Sequence, residues 1–226
     1  MEADKPLFVL GGSFNGPGLQ CAKFYMGDSM KIFTDHKLAL ITGFVLAAVI
    51  IAIGLTSGNA PSTSELVGGL ARWGHFLAGI TWIGLLYYLN FCQVPSMGGL
   101  SAETKGELFK ADSVVRRVMW WFRWGAMFTL IFGVTLYMGM MHGGGTSGVP
   151  GWDIRIGGLF GIIMWFNVWF IIWPAQKKIL GIVEGATAEE KASLGKRALI
   201  ASRTNTILSI PMLLLMASSA HFRFFG

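Results

Sequence analysis

Long apolar runs constrain this chain more than any other feature of its sequence. The first, LALITGFVLAAVIIAIGL at positions 38–55, contains no charged residue. Runs of this length match the hydrocarbon thickness of a bilayer when coiled as a helix, at about 1.5 Å per residue. In hydrocarbon no water is available to the backbone, so each run must satisfy its N–H and C=O groups internally, as a helix does. Four further runs follow, ARWGHFLAGITWIGLLYYLNFCQV (71–94), RRVMWWFRWGAMFTLIFGVTLYMGM (116–140), RIGGLFGIIMWFNVWFIIWPA (155–175) and NTILSIPMLLLMASSAHF (205–222). The expected fold is therefore all-α: a polytopic transmembrane helical bundle of about five spans within residues 38–226. Asp35 is placed to cap the first span and Pro95 to end the second, and the short fifth span carries Pro211. Residues 1–37 are mixed and glycine-bearing, and are expected to form an extramembrane N-terminal arm able to pack on a partner. They show no cleavable signal peptide, since the first apolar run begins only near Leu38.

Composition agrees with membrane residence. Only 13% of residues are charged and 53% are hydrophobic, against about 25% charged in soluble domains. The formal charge of +6 does not point to nucleic acid, because the basic residues sit in short segments between apolar runs. Of eighteen Lys and Arg, four lie in the N-terminal segment, four in 93–117 and six in 176–203. The other side carries only Arg72, Arg155 and Arg223, while Arg123 falls inside the third span. By the positive-inside rule the N-terminus is expected in the cytoplasm and the C-terminus outside, which for a bacterial inner membrane is the periplasm. The 176–203 segment reads as a cytoplasmic amphipathic helix at the lipid surface. Cys21 and Cys92 are too few for a disulfide framework or a thiolate metal site, and no C-x-x-C-H occurs.

The stretch RWGHFLAGITWIG (72–84) buries an imidazole among apolar residues, which costs free energy unless the ring finds a partner. With the topology above, His75, His221 and His142 all fall at the outer face, whereas His36 starts the first span on the inner side. Two histidines at matching depth on adjacent helices can hold the axial positions of a b-type haem. His75 and His221 are the expected ligands if their spans are neighbours, with His142 as the substitute. Gly79, one turn from His75, and Gly84 offer the small surface that a porphyrin requires, or that two close helices require. Arg72 is placed to pair with a haem propionate or with lipid phosphate. The plainer alternative is that His75 hydrogen-bonds a backbone carbonyl or interfacial water, and this is the commoner state for His221 and His142.

Other candidates carry less. Arg123, in WWFRWGAMF, is expected to snorkel to the inner interface; alternatively it faces the bundle and holds an anionic group. Asn167, near mid-membrane, is expected to hydrogen-bond across helices. MGMMHGGG (138–145) sets methionines beside His142, a soft-ligand cluster suited to copper but also to ordinary packing. The glycines that follow do not form a nucleotide motif. All twelve acidic residues are read as lying in loops or termini, which argues against proton pumping and ion-coupled transport.

The second run, continued as RWGHFLAGITWIGLLYYLNFCQVPSM, and the third, RRVMWWFRWGAMFTLIFGVTLYMGM, resemble the membrane domain of the bacterial urate hydroxylase (urate oxidase N-terminal) family. The resemblance rests on H-x-x-x-G-x-x-W-x-G in the second span, N-F-x-Q-V-P at its end and W-W-F-R-W-G-A opening the third, and extends over roughly 68–222. The first element is also similar to the first histidine-bearing helix of haem-binding families of the protoporphyrinogen oxidase and copper-resistance D types. The resemblance implies a polytopic inner-membrane protein that passes electrons towards cytochrome c. Family members carry a c-type cytochrome domain after the membrane domain; this chain ends at Gly226 without one, so a separate partner is expected to take the electrons. Two functions follow. One is a haem b redox protein serving a periplasmic cytochrome c, with oxidation of urate or a related small molecule as a variant. The other is a cofactor-free accessory subunit of a larger respiratory or photosynthetic membrane complex.

Overall fold

The computed structural model describes residues 31–58, 60–111, 113–142 and 150–225. Expectations for most of the N-terminal arm, for Cys21 and for the glycines 143–145 lie outside the described residues. The chain divides into two units, residues 1–61 and 62–226. Among the described residues there is no strand, and five helical segments are long and apolar enough to cross a membrane.

The first unit contains α1, His36–Thr56. Asp35 caps it as expected, its carboxylate accepting from the Lys37 amide at 2.8 Å. That hydrogen bond holds the Asp35 carboxyl below its usual pKa. With 21 residues, α1 extends about 31 Å, the thickness of the hydrocarbon core.

The second unit is built from α2 (Thr63–Gly99), the short α3 (Ala102–Phe109), α4 (Val114–Met141), α5 (Trp152–Ile179) and α6 (Ala188–His221). A capping box starts α2: the Ser62 hydroxyl accepts from the Glu65 amide, and the Glu65 carboxylate accepts from the Ser62 amide at 2.9 Å. The main pairs are α2 with α4 and α5 with α6, with α6 also meeting α2. Trp82, Leu86, Phe122, Met164 and Val168 form the centre of the shared core. Close approach depends on glycine. A Cβ at Gly74 would lie 2.7 Å from the Phe132 ring, one at Gly125 3.2 Å from the Trp82 backbone nitrogen, and one at Gly157 3.2 Å from Leu215 Cβ.

Three sequence expectations are corrected. Pro95 does not end the second span; α2 continues through it to Gly99. A π-helical stretch, Tyr88–Gln93, precedes Pro95, and a second, Asn167–Ile172, precedes Pro174 in α5. Proline lacks the N–H for the helical ladder and its ring crowds the carbonyl four residues back; the wider turn accommodates both. A side-chain amide serves the carbonyl just ahead of each stretch: Asn90 Nδ2 donates to the Leu86 carbonyl at 2.9 Å, and Asn205 Nδ2 to the Met164 carbonyl at 3.0 Å. Second, 176–203 is not a separate surface helix. Residues 188–203 are the first half of α6, whose Ala198 and Ala201 are buried. The turn is confined to 180–187, where Gly181 and Gly185 have φ of 65° and 91°, values that favour glycine. Third, the acidic residues are not confined to loops and termini: Glu65, Glu189 and Glu190 lie in the first turns of α2 and α6, and Asp153, 1% exposed, in the first turn of α5.

Candidate functional site

His75 projects from α2 onto α4. Its ring lies against Gly133, where a Cβ would come within 3.1 Å of Cε1, so a side chain there would displace the imidazole. Nδ1 is 2.9 Å from the Thr129 carbonyl oxygen. A carbonyl only accepts, so Nδ1 carries the proton and Nε2 of the neutral ring holds a lone pair. The Thr129 hydroxyl donates to the Gly125 carbonyl at 2.7 Å and is itself buried. The backbone that orients His75 is thereby tied to the glycine contact at Trp82. No further hydrogen bond of His75 occurs among the described residues. One turn along α2, a Cβ at Gly79 would meet nothing within 4 Å, so space is open on that side.

His221 is the last residue of α6 and is exposed. Its level follows from the register of α2 on α6. The Tyr87 and Ser209 hydroxyls are 2.9 Å apart, and Asn90 Nδ2 donates to the Ser202 hydroxyl at 2.8 Å, so the helices run antiparallel. His75 and His221 each lie twelve residues from the Tyr87–Ser209 contact, towards the same end of the bundle. Both are therefore about 18 Å from it along their helix axes. His142 caps α4 and turns Nδ1 back onto the Met138 carbonyl at 2.8 Å. It stands nine residues past Gly133, about 13 Å further along α4. The structure thus sets His75 and His221 at one level and does not bring His142 to it. Arg72 is exposed, one turn from His75 towards the α2 N-terminus.

Arg123 packs against tryptophans of the bundle. Its guanidinium lies 3.7 Å from the centre of the Trp173 ring on α5, with Trp169 at 5.7 Å and Trp124 at 6.0 Å. Of the two readings of Arg123, the bundle-facing one describes its position. Asn167 bonds across helices as expected, donating to Asn205 Oδ1 at 2.8 Å.

Sequence reasoning missed Asp153. Its Oδ2 accepts from the Phe224 and Phe225 amides at 3.1 and 3.3 Å, tying the C-terminal tail to the start of α5. An acid in the first turn of a helix was the available signal, but nothing local shows that the tail returns to it. Among the described residues no group of three or more His, Cys, Asp or Glu is arranged to hold a metal ion.

Residues 151–225 match the family model described as urate oxidase N-terminal. The match comprises α5, α6 and the tail latched by Asp153, and is consistent with a membrane domain of that type. It begins after the motifs of α2 and α4 that carry the sequence resemblance. No curated protein and no solved structure matches the chain.

Proposed function

We propose that this membrane protein is a redox protein that holds a b-type haem through His75, with His221 as the second axial ligand, and relays electrons to a cytochrome c-type partner on the periplasmic side. The observation that carries this reading is the Nδ1–H bond from His75 to the Thr129 carbonyl. Such a bond fixes the tautomer and ring orientation of a ligating histidine and leaves Nε2 to bind. The open side at Gly79 and the common level of His221 fit the same group. Arg72 is placed to pair with a propionate. A bound haem would supply a one-electron couple whose potential depends on its axial ligands and burial. The residues of this chain would orient the ligand, exclude lipid and balance charge. Oxidation of urate or a related small molecule is the variant of this reading that the family match favours.

A reduced-minus-oxidised spectrum of the purified protein provides the test. The expected result is a b-type Soret and α-band, lost in His75→Ala and altered in His221→Ala. An unchanged spectrum in His75→Ala would remove the ligand assignment. One observation favours a second reading, a cofactor-free accessory subunit of a larger membrane complex: the Thr129 carbonyl by itself satisfies Nδ1 of His75. A colourless protein that co-purifies with other subunits in fixed ratio would establish that alternative.

A further inference from the structure

At the other end of the bundle, where the connections between α2 and α4 and between α5 and α6 lie, three basic side chains have hydrogen-bond or ion-pair partners among the described residues. Lys178 pairs with Glu190, Lys110 with Glu107, and Arg116 Nη2 donates to the Leu180 carbonyl at 2.6 Å. Arg123 and Lys177 are set apart by a shared aromatic ring. Both approach the ring of Trp173, at 3.7 Å for the guanidinium carbon and 5.9 Å for the ammonium nitrogen. No acidic side chain pairs with either among the described residues. Arg123 Nε and Nη1 are buried and have no hydrogen-bond acceptor.

Stacking on tryptophan does not meet that need. An indole face attracts the guanidinium through its plane, whereas the N–H bonds point outward in the plane and still require acceptors. A permanently charged group buried without a counter-ion is costly, and arginine cannot escape by losing its proton. Arg123 lies nine residues into α4, about 14 Å from its start, and its Cβ is directed towards the helix N-terminus, the basic end. Trp173, over which its guanidinium lies, is six residues from the end of α5 at the same basic end.

We propose that Arg123 and Lys177, held on the ring of Trp173, form a binding site for a phosphate group at the basic end of the bundle. Phosphate offers charged acceptor oxygens to the guanidinium at Nη2, which is not among its buried atoms, and a point-charge contact to the ammonium group. A phospholipid headgroup and a soluble phosphate share this chemistry. The site lies at the opposite end from His75 and does not depend on haem.

The test uses the full chain in an uncharged maltoside detergent and reads the midpoint of thermal unfolding. Dioleoylphosphatidylglycerol, inorganic phosphate and dioleoylglycerol, which has the tails without the phosphate, are titrated separately. The expected result is a saturable rise in midpoint with a phosphate-bearing probe and none with dioleoylglycerol. Arg123→Gln and Lys177→Gln should each raise the half-saturating concentration at least roughly tenfold, the scale of one charge-assisted hydrogen bond. A response to the lipid alone identifies a headgroup as the source; a response to inorganic phosphate identifies a soluble anion. Lys177 is only half-buried at the helix end, so Lys177→Gln keeps the test available if Arg123→Gln does not fold. The proposal is overturned if the wild type responds saturably to neither phosphate probe. It is equally overturned if the folded variants respond as the wild type does.

Discussion

His75 is held between a glycine and a carbonyl, and both features belong to α4. Gly133 leaves room for the ring and Thr129 provides the acceptor. Gly133→Ala would press a Cβ to 3.1 Å from Cε1, so it should weaken any spectral band that His75 supports while leaving the helices assembled. Gly125→Ala meets the Trp82 backbone at 3.2 Å, where nothing flexible can yield. It should destabilise the unit by about 1–3 kcal/mol, the usual scale of overpacking. Gly84→Ala, with nothing within 4 Å, should change little. Unfolding midpoints in detergent would check both, and equal shifts would show that the α2–α4 contact is looser than described. At this scale the sequence identified His75 as an imidazole needing a partner, and Arg123 as a charge within a span. It could not identify Thr129 or Trp173, because each partner lies on another helix and only packing brings it near.

At the scale of elements, each pair of long helices begins with one containing a π-helical stretch that ends two residues before a proline. The prolines were visible in the sequence, and Pro95 read as a stop because proline ordinarily breaks the helical ladder. Its effect was instead absorbed by a wider turn, made tolerable by amides on neighbouring residues or helices. Asn205 is fully buried and ties α6 to α5 through two bonds, accepting from Asn167 Nδ2 and donating to the Met164 carbonyl. Asn205→Ala would leave both groups without their partner in an apolar setting. Interhelical polar contacts in membranes contribute about 0.6–2 kcal/mol each, so the variant should lose roughly 1–3 kcal/mol against unfolding. Stability unchanged within a few tenths of a kcal/mol would show that Asn205 is dispensable.

At the scale of the whole molecule, the tail is part of the fold. Asp153 collects the Phe224 and Phe225 amides from the far end of the chain, joining the beginning and end of the segment that matches the urate oxidase N-terminal family. Asp153→Ala should release the tail, seen as faster trimming by carboxypeptidase, whereas Asp153→Asn retains an acceptor oxygen and should trim more slowly than Asp153→Ala. Equal trimming of all three forms would exclude the latch. The all-helical class and the five membrane-length segments were legible from residues alone, because apolar runs of that length can satisfy their backbone in lipid only by coiling on themselves. Which faces meet was not legible. Spans with apolar residues on nearly every side carry no periodic stripe to choose a partner, so the choice fell to glycine notches and a few polar bonds between residues 54 to 122 positions apart. Membrane residence was thus determined by the sequence through the cost of an unpaired backbone. The common level of His75 and His221, the tryptophan setting of Arg123 and the burial of Asp153 were decided only in the tertiary structure, where side-chain shape and hydrogen bonding across helices select one register.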